Sequence, residues 1–173
     1  MDKIEIKIAK TSDATHIALL GRITFKETFS HLFRDKNDLL NYFNKTFSVE
    51  KIKTGITNQN NIFWIALVDG LPVGYAKLKL KSQSEFISGE NVCQLQKIYI
   101  LNDFLSMKIG LELQDKLIIK AVEKGYDKIW LSVLESNERA INFYKKNGFE
   151  TIGTHDYQIG KENFHFFAMS RRL

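Results

Sequence analysis

The chain has 173 residues, 44% of them hydrophobic and 13 of them Phe, a length and apolar content that suit a single packed domain, residues 1–173. Apolar runs such as 62–68 and 129–133 fall far short of the ~20 residues that cross a bilayer, and the charged start Met1-Asp2-Lys3-Ile4-Glu5 is not built like a signal peptide. A membrane role is therefore excluded and a cytoplasmic location expected. The net charge of +5 is dispersed among acids, without a basic stretch interleaved with aromatics, which argues against nucleic acid and leaves room for a phosphate-rich small molecule.

Residues 4–8 alternate apolar and polar, the period of a half-buried strand. Thr11 or Ser12 can cap a following helix in which Ile17, Leu20, Thr24 and Phe25 recur at helical spacing as far as Phe29. A second helix is expected over 37–45 and a short third one from Ser48 to about Thr57. Residues 62–68 and 72–80 are β-branched, apolar runs joined by Asp69-Gly70, a dipeptide suited to a tight hairpin turn. A polar loop over 82–90 leads to a strand over 92–100, and Ile109, Leu113, Leu117 and Ala121 then mark a helix. A strand over 129–133, a helix over 136–146 stopped by Asn147-Gly148, and two strands over 149–157 and 164–169 around Gly160 complete the chain. This order predicts an α/β fold, a mixed sheet of about seven strands flanked by helices. Trp64 and Trp130 sit in strand runs and are assigned to the core, and the lone Cys93 to buried packing. The four histidines, His16, His31, His155 and His165, are scattered without ligand spacing, so no metal is expected.

The most specific text is 132–149: a strand end, then Asn137, Ala140-Ile141, Phe143-Tyr144-Lys145-Lys146 and Gly148-Phe149. Asn137 and Tyr144 are two helical turns apart and share a side of the helix. This run resembles the GNAT superfamily of N-acetyltransferases. The resemblance implies the twisted GNAT acyl-CoA N-acyltransferase fold and acetyl-CoA as co-substrate. It gives Asn137 a hydrogen bond to the pantetheine arm and Tyr144 the catalytic donation of a proton to the departing CoA thiolate. A phenol, with an ordinary pKa of ~10, holds that proton at neutral pH. Arg139 and Lys146 join the cofactor-binding set.

The strand and turn from Leu95 to Leu111 resemble the family's pyrophosphate loop, in which backbone N–H groups at a helix N-terminus meet the diphosphate. That places Ser106, Met107, Lys108, Ile109, Gly110 and Leu111 at the phosphates, and, on a strand splayed by a bulge as in the family, the backbone of Ile98, Tyr99 and Ile100 along pantetheine. The loop departs from the family's pattern: Leu105 and Lys108 stand where Gln or Arg and Gly are usual, and only Gly110 is kept.

Acetylating an amine also requires proton loss to a carboxylate or water, and Glu27, on the first helical arm, is the candidate acid for that task. His31, after the same arm, could touch an acceptor. The whole chain is similar to bacterial spermidine/spermine acetyltransferases of the PaiA type, in 24–29 (Thr-Phe-Lys-Glu-Thr-Phe), Lys97-Ile98-Tyr99-Ile100 and 143–146. This implies a polyamine acceptor, for which Asp35, Asp38, Glu85 and Glu90 could supply an acidic cleft. Three other readings stay open: acetylation of protein N-termini or lysines, of an aminoglycoside, and a non-catalytic acyl-CoA sensor. Either a monomer or a homodimer is compatible with the sequence.

Overall fold

Seven strands form one sheet, in the order β1-β2-β3-β4-β5-β7-β6, in the computed structural model, which describes residues 2–173. The hairpin β2 (Asn61–Val68) and β3 (Leu71–Lys79) turns at Asp69 and Gly70, both at positive φ, as the Asp-Gly pair predicts. β1 (Ile4–Ile8) adds antiparallel to β2, and β4 (Val92–Ile100) adds antiparallel to β3. β5 (Lys128–Leu134) is parallel to β4, and the antiparallel hairpin of β6 (Glu150–Ile159) and β7 (Glu162–Arg172) joins it through β7.

Helices cover both faces. On one, α4 (Ile109–Glu123) lays down Ile109, Leu113, Leu117 and Ala121, each fully buried against β3, β4 and β5. Burying a Leu or Ile in this way contributes roughly 1.5–3 kcal/mol. The opposite face carries α1 (Ala14–Phe29), α2 (Lys36–Thr46) and α3 (Val49–Thr57). There Phe25, Phe29, Phe43 and Phe47 pack with Phe164 of β7 in an aromatic cluster, Phe25 and Phe29 stacking at 4.3 Å. α5 (Glu138–Lys146) follows β5 and adds Ile141 and Tyr144 to the core on the α4 side.

Three details depart from the sequence reading. Neither Thr11 nor Ser12 caps α1: they form a 3-10 turn ending at Asp13, whose carboxylate accepts from the Lys10 N–H at 2.8 Å. Trp130 is only half-buried, because its strand face is open and its indole N–H donates to Ser82 O at 2.7 Å, whereas Trp64 is in the core as expected. α5 starts at Glu138, since Asn137 takes the cap position and Ser136 stays outside the helix. Cys93 is fully buried. No helix among the described residues is long and apolar enough to cross a membrane.

Candidate active site

β4 and β5 pair at only three positions, Val92 with Lys128, Cys93 with Ile129 and Gln94 with Trp130, and then part. The cause is local. Against β3 the register steps from Leu78–Leu95 to Lys77–Lys97, leaving Gln96 as an extra residue. Such a bulge bends and twists a strand, and here it turns β4 away from β5. Gly74 of β3 permits the bend, because a Cβ there would stand 2.8 Å from Tyr99 O. Past Gln94, the β5 side of β4 has no strand partner among the described residues, so its backbone donors and acceptors face a gap.

The gap opens into a cleft of about 780 Å³ lined by α1, β4, α4 and α5. Ile98, Tyr99 and Ile100 form one wall, and Asn137, Phe143 and Tyr144 the other. Asn137 Oδ1 accepts the Ala140 N–H at 3.2 Å, a helix N-cap that fixes the side chain and leaves its amide NH₂ available. Two turns on, Tyr144 is 8% exposed and its ring rests edge-on against Phe143 and Phe149. Burial raises the Tyr144 phenol above its ordinary pKa, so it stays protonated at neutral pH. The end of α5 is fixed too: Phe149 N–H donates to Tyr144 O at 3.0 Å, and Arg171 Nη1 to Asn147 O at 2.9 Å.

The turn before α4 is tied down by Leu101 N–H donating to Val73 O at 2.9 Å, and it runs as a 3-10 segment, Asn102–Met107, to Lys108. Lys108 adopts the left-handed region, φ 60° and ψ 14°, and so performs the turn that glycine usually makes. Leu105, Lys108, Gly110 and Leu111 line the cleft, whereas Ser106 is exposed, Met107 packs against the core and the Ile109 side chain is fully buried. These last three can meet a ligand only through backbone or from outside the cleft. A Cβ on Gly110 would stand 3.1 Å from Ile100 Cδ1, so the glycine lets α4 approach β4 closely.

Three cations, Lys108, Arg139 and Lys146, line the cleft together with a helix N-terminus, and no carboxylate does. That lining suits a polyanion. Thr24 and Thr28 of α1 also line it, although the sequence places them only in the helical pattern and the 24–29 motif and not at the site. Their i, i+4 spacing on α1 is the signal they left. Burial raises the pKa of Tyr99, with the nearby Tyr42 and Tyr144 adding to the effect.

Glu27 and His31 are not among the lining residues, though Glu27 bonds to one of them, Asn102. Glu27 is exposed and its carboxylate accepts the Asn102 N–H at 3.2 Å, tying α1 to the turn before α4. His31 is exposed on a 3-10 turn after α1. Asp35 and Asp38 are engaged by Lys161, through its ammonium at 3.0 Å and its backbone N–H at 2.9 Å, while Glu85 and Glu90 are exposed on the β3–β4 connection. No cluster of potential metal ligands occurs among the described residues.

Comparison with known proteins agrees with this geometry. An uncharacterized N-acetyltransferase of Lactobacillus delbrueckii subsp. lactis is 26% identical over 97% of this chain and 98% of its own. One from Mycobacterium tuberculosis is 27% identical over 94% of this chain and 99% of its own. The fold is similar to that of the crystal structure of the PaiA N-acetyltransferase from Thermoplasma acidophilum in complex with coenzyme A, with a TM-score of 0.79 at 23% identity over 99% of both chains. The model of the acetyltransferase (GNAT) family matches residues 25–149, a span that begins on α1, contains the β4–β5 gap and ends just past α5. The parted strands and both walls of the cleft thus lie inside the matched region, and the chain belongs to the acetyltransferase (GNAT) family.

Proposed function

We propose that the protein transfers an acetyl group from acetyl-CoA to a small primary amine, with Tyr144 as proton donor to the CoA thiolate. The placement of Asn137 and Tyr144 on one wall of a cleft whose other wall is the unpaired edge of β4 carries this reading. The pantetheine amides find strand-like partners on Ile98–Ile100 and the Asn137 amide. The diphosphate finds the amides of the turn before α4 with Lys108, and Arg139 and Lys146 add positive charge. Acetyl-CoA supplies the thioester. The amine nitrogen forms a C–N bond to its carbonyl carbon, the C–S bond breaks, and the nitrogen's excess proton leaves to water or a base. Tyr144 gives its own proton to the sulfur and regains one from solvent. Because its phenol is buried and protonated, it costs little to keep ready.

Glu27 fits a positioning role better than that of a base, since its carboxylate already holds the Asn102 N–H. A polyamine acceptor would need carboxylates for its remaining charges, and Asp35 and Asp38 are already engaged with Lys161. Mixing the protein with acetyl-CoA and a panel of amines, spermidine among them, while following free thiol tests the proposal. Tight acetyl-CoA binding without thiol release from any amine would favour a non-catalytic acyl-CoA sensor.

A further inference from the structure

The helices cover the α1 face of the sheet unevenly. The aromatic cluster seals one part of it, but nearer the β3–β4 connection Lys97, Trp130, Ser132, His155 and Phe166 are each only half-buried. This open floor straddles the divergence: Lys97 lies on β4, two residues before the cleft-lining Tyr99, and Ser132 on β5, two residues before Leu134. Lys97 Nζ stands 4.9 Å from the centroid of Phe47 and 5.7 Å from that of Tyr99. Ser132 Oγ and His155 Nε2 share a hydrogen bond of 2.7 Å, and His155 stacks between Phe86 and Phe166 at 6.0 Å and 5.4 Å. Phe86 reaches this place because residue 153 is glycine, whose added Cβ would meet the ring at 2.3 Å.

The charge of this floor is one-sided. No carboxylate pairs with Lys97 among the described residues, and its cross-strand neighbour is a second lysine, Lys77, whose ammonium faces the Phe63 ring at 5.3 Å. Of the acids on this side, Glu162 pairs with Arg34, Asp35 with Lys161 and Glu50 with Lys53, Glu27 accepts the Asn102 N–H, and Glu85 and Glu90 are exposed. Burial lowers the Lys97 ammonium to about 8, with the charge of Lys77 contributing. A half-buried cation facing ring faces, on the same face of the sheet as a hydroxyl and an imidazole, is suited to an anion.

We infer that Lys97, with Ser132 and His155, anchors an anionic group of the acyl acceptor, so that the amine acetylated also carries a carboxylate. The inference rests on the N-acetyltransferase reading and names its substrate class. Two residues of strand, about 6.5 Å, separate Lys97 from Tyr99 at the cleft, so amine and carboxylate lie one short aliphatic chain apart. The Lys97 ammonium pairs with the carboxylate, and the aromatic walls exclude water from that pair. A polycation placed on the same floor would meet Lys97 and Lys77 with like charge.

Lysine and 1,5-diaminopentane differ by one carboxylate and form the test, with spermidine as a third acceptor. The wild type is expected to use lysine with at least tenfold higher kcat/KM than either polyamine. Lys97→Met should abolish that preference by lowering kcat/KM for lysine alone, leaving 1,5-diaminopentane within about twofold, and Lys97→Arg should retain part of it. A wild-type preference for spermidine or 1,5-diaminopentane, or an equal loss for both acceptors in Lys97→Met, overturns the anchor. If no amine releases thiol, the transferase reading fails and the anchor is judged by calorimetric titration of lysine and 1,5-diaminopentane into CoA-saturated protein. Tighter binding of lysine that Lys97→Met removes supports the anchor, and equal or absent binding overturns it. Ser132→Ala provides a milder variant should the Lys97 changes impair folding, with a severalfold loss expected for lysine only and an equal loss for both acceptors counting against the anchor.

Discussion

Replacing Lys108 with glycine should make the protein more stable and worse at holding acetyl-CoA. Lys108 is at φ 60° and ψ 14° at the start of α4, a conformation costing an L-residue roughly 1–2 kcal/mol. Glycine removes that cost but adds unfolded-chain entropy worth about 0.4–1 kcal/mol, leaving a net gain of about 0.5–1 kcal/mol. For 173 residues the unfolding entropy is about 0.36 kcal/mol/K, taking ~2.1 cal/mol/K per residue, so Tm should rise by about 1.5–3 °C. The same change removes a cation from the cleft. A charge-assisted contact with phosphate is worth about 1.5–3 kcal/mol before solvent screening, so KM for acetyl-CoA should rise about tenfold, and its salt dependence should weaken. Thermal melts without ligand and acetyl-CoA saturation curves at two ionic strengths measure both effects. A lower Tm would refute the backbone cost assigned to Lys108, and an unchanged KM its contact with the phosphates.

Other consequences can be checked separately. Tyr144→Phe should reduce kcat by about 10²-fold or more with little change in acetyl-CoA affinity; equal losses in both would remove Tyr144 from the chemistry. Asn137→Ala loses the α5 cap, about 1 kcal/mol, and should lower both Tm and acetyl-CoA affinity, so a drop in Tm alone would leave Asn137 a purely structural cap. The Gln114 side chain is fully buried with no partner for its amide oxygen or nitrogen, and Gln114→Leu should therefore raise Tm by several degrees, given the roughly 1–3 kcal/mol attached to an unpaired buried polar group; a fall would reveal a partner. Lys97, lowered from 10.5 to about 8 by burial, binds fewer protons in the folded than in the unfolded chain between those values. Its contribution therefore makes the wild type more stable as pH rises through 8 to 10. Lys97→Met should lose that gain in melts taken across this range, and an unchanged slope would contradict it.

Local rules made most of the fold legible. The Asp69-Gly70 turn, the 109, 113, 117 and 121 stripe and the Asn147-Gly148 stop act through backbone conformation or a single periodic face, and each appears where the sequence places it. The departures have non-local causes. Trp130 is as apolar as Trp64, but only the three-dimensional cover over β5 decides that its indole ends at Ser82. The bulge at Gln96 arises from a register step against β3; the family resemblance implies a bulge in this strand, but no residue of β4 by itself marks its position. Asn137 and Tyr144 were readable as an ordered pair on one helix, whereas Thr24 and Thr28 join the cleft through the packing of α1. The bond from the Asn102 N–H to Glu27 could not be read, because the two residues are 75 apart in the chain.

The short β4–β5 pairing has a mechanical meaning as well. Three paired positions are the seam between a four-stranded half, β1 to β4, and a three-stranded half, β5 to β7. A ligand whose amides bond to the freed edge of β4 while its other side rests on α5 would serve as the missing rungs of that seam. Its binding energy would then be spent on joining the halves, so amide protons along 95–100 and 131–134 should exchange more slowly in the complex than in the free protein. The reaction would proceed only while the sheet is whole, and release of the thiol product would reopen the seam.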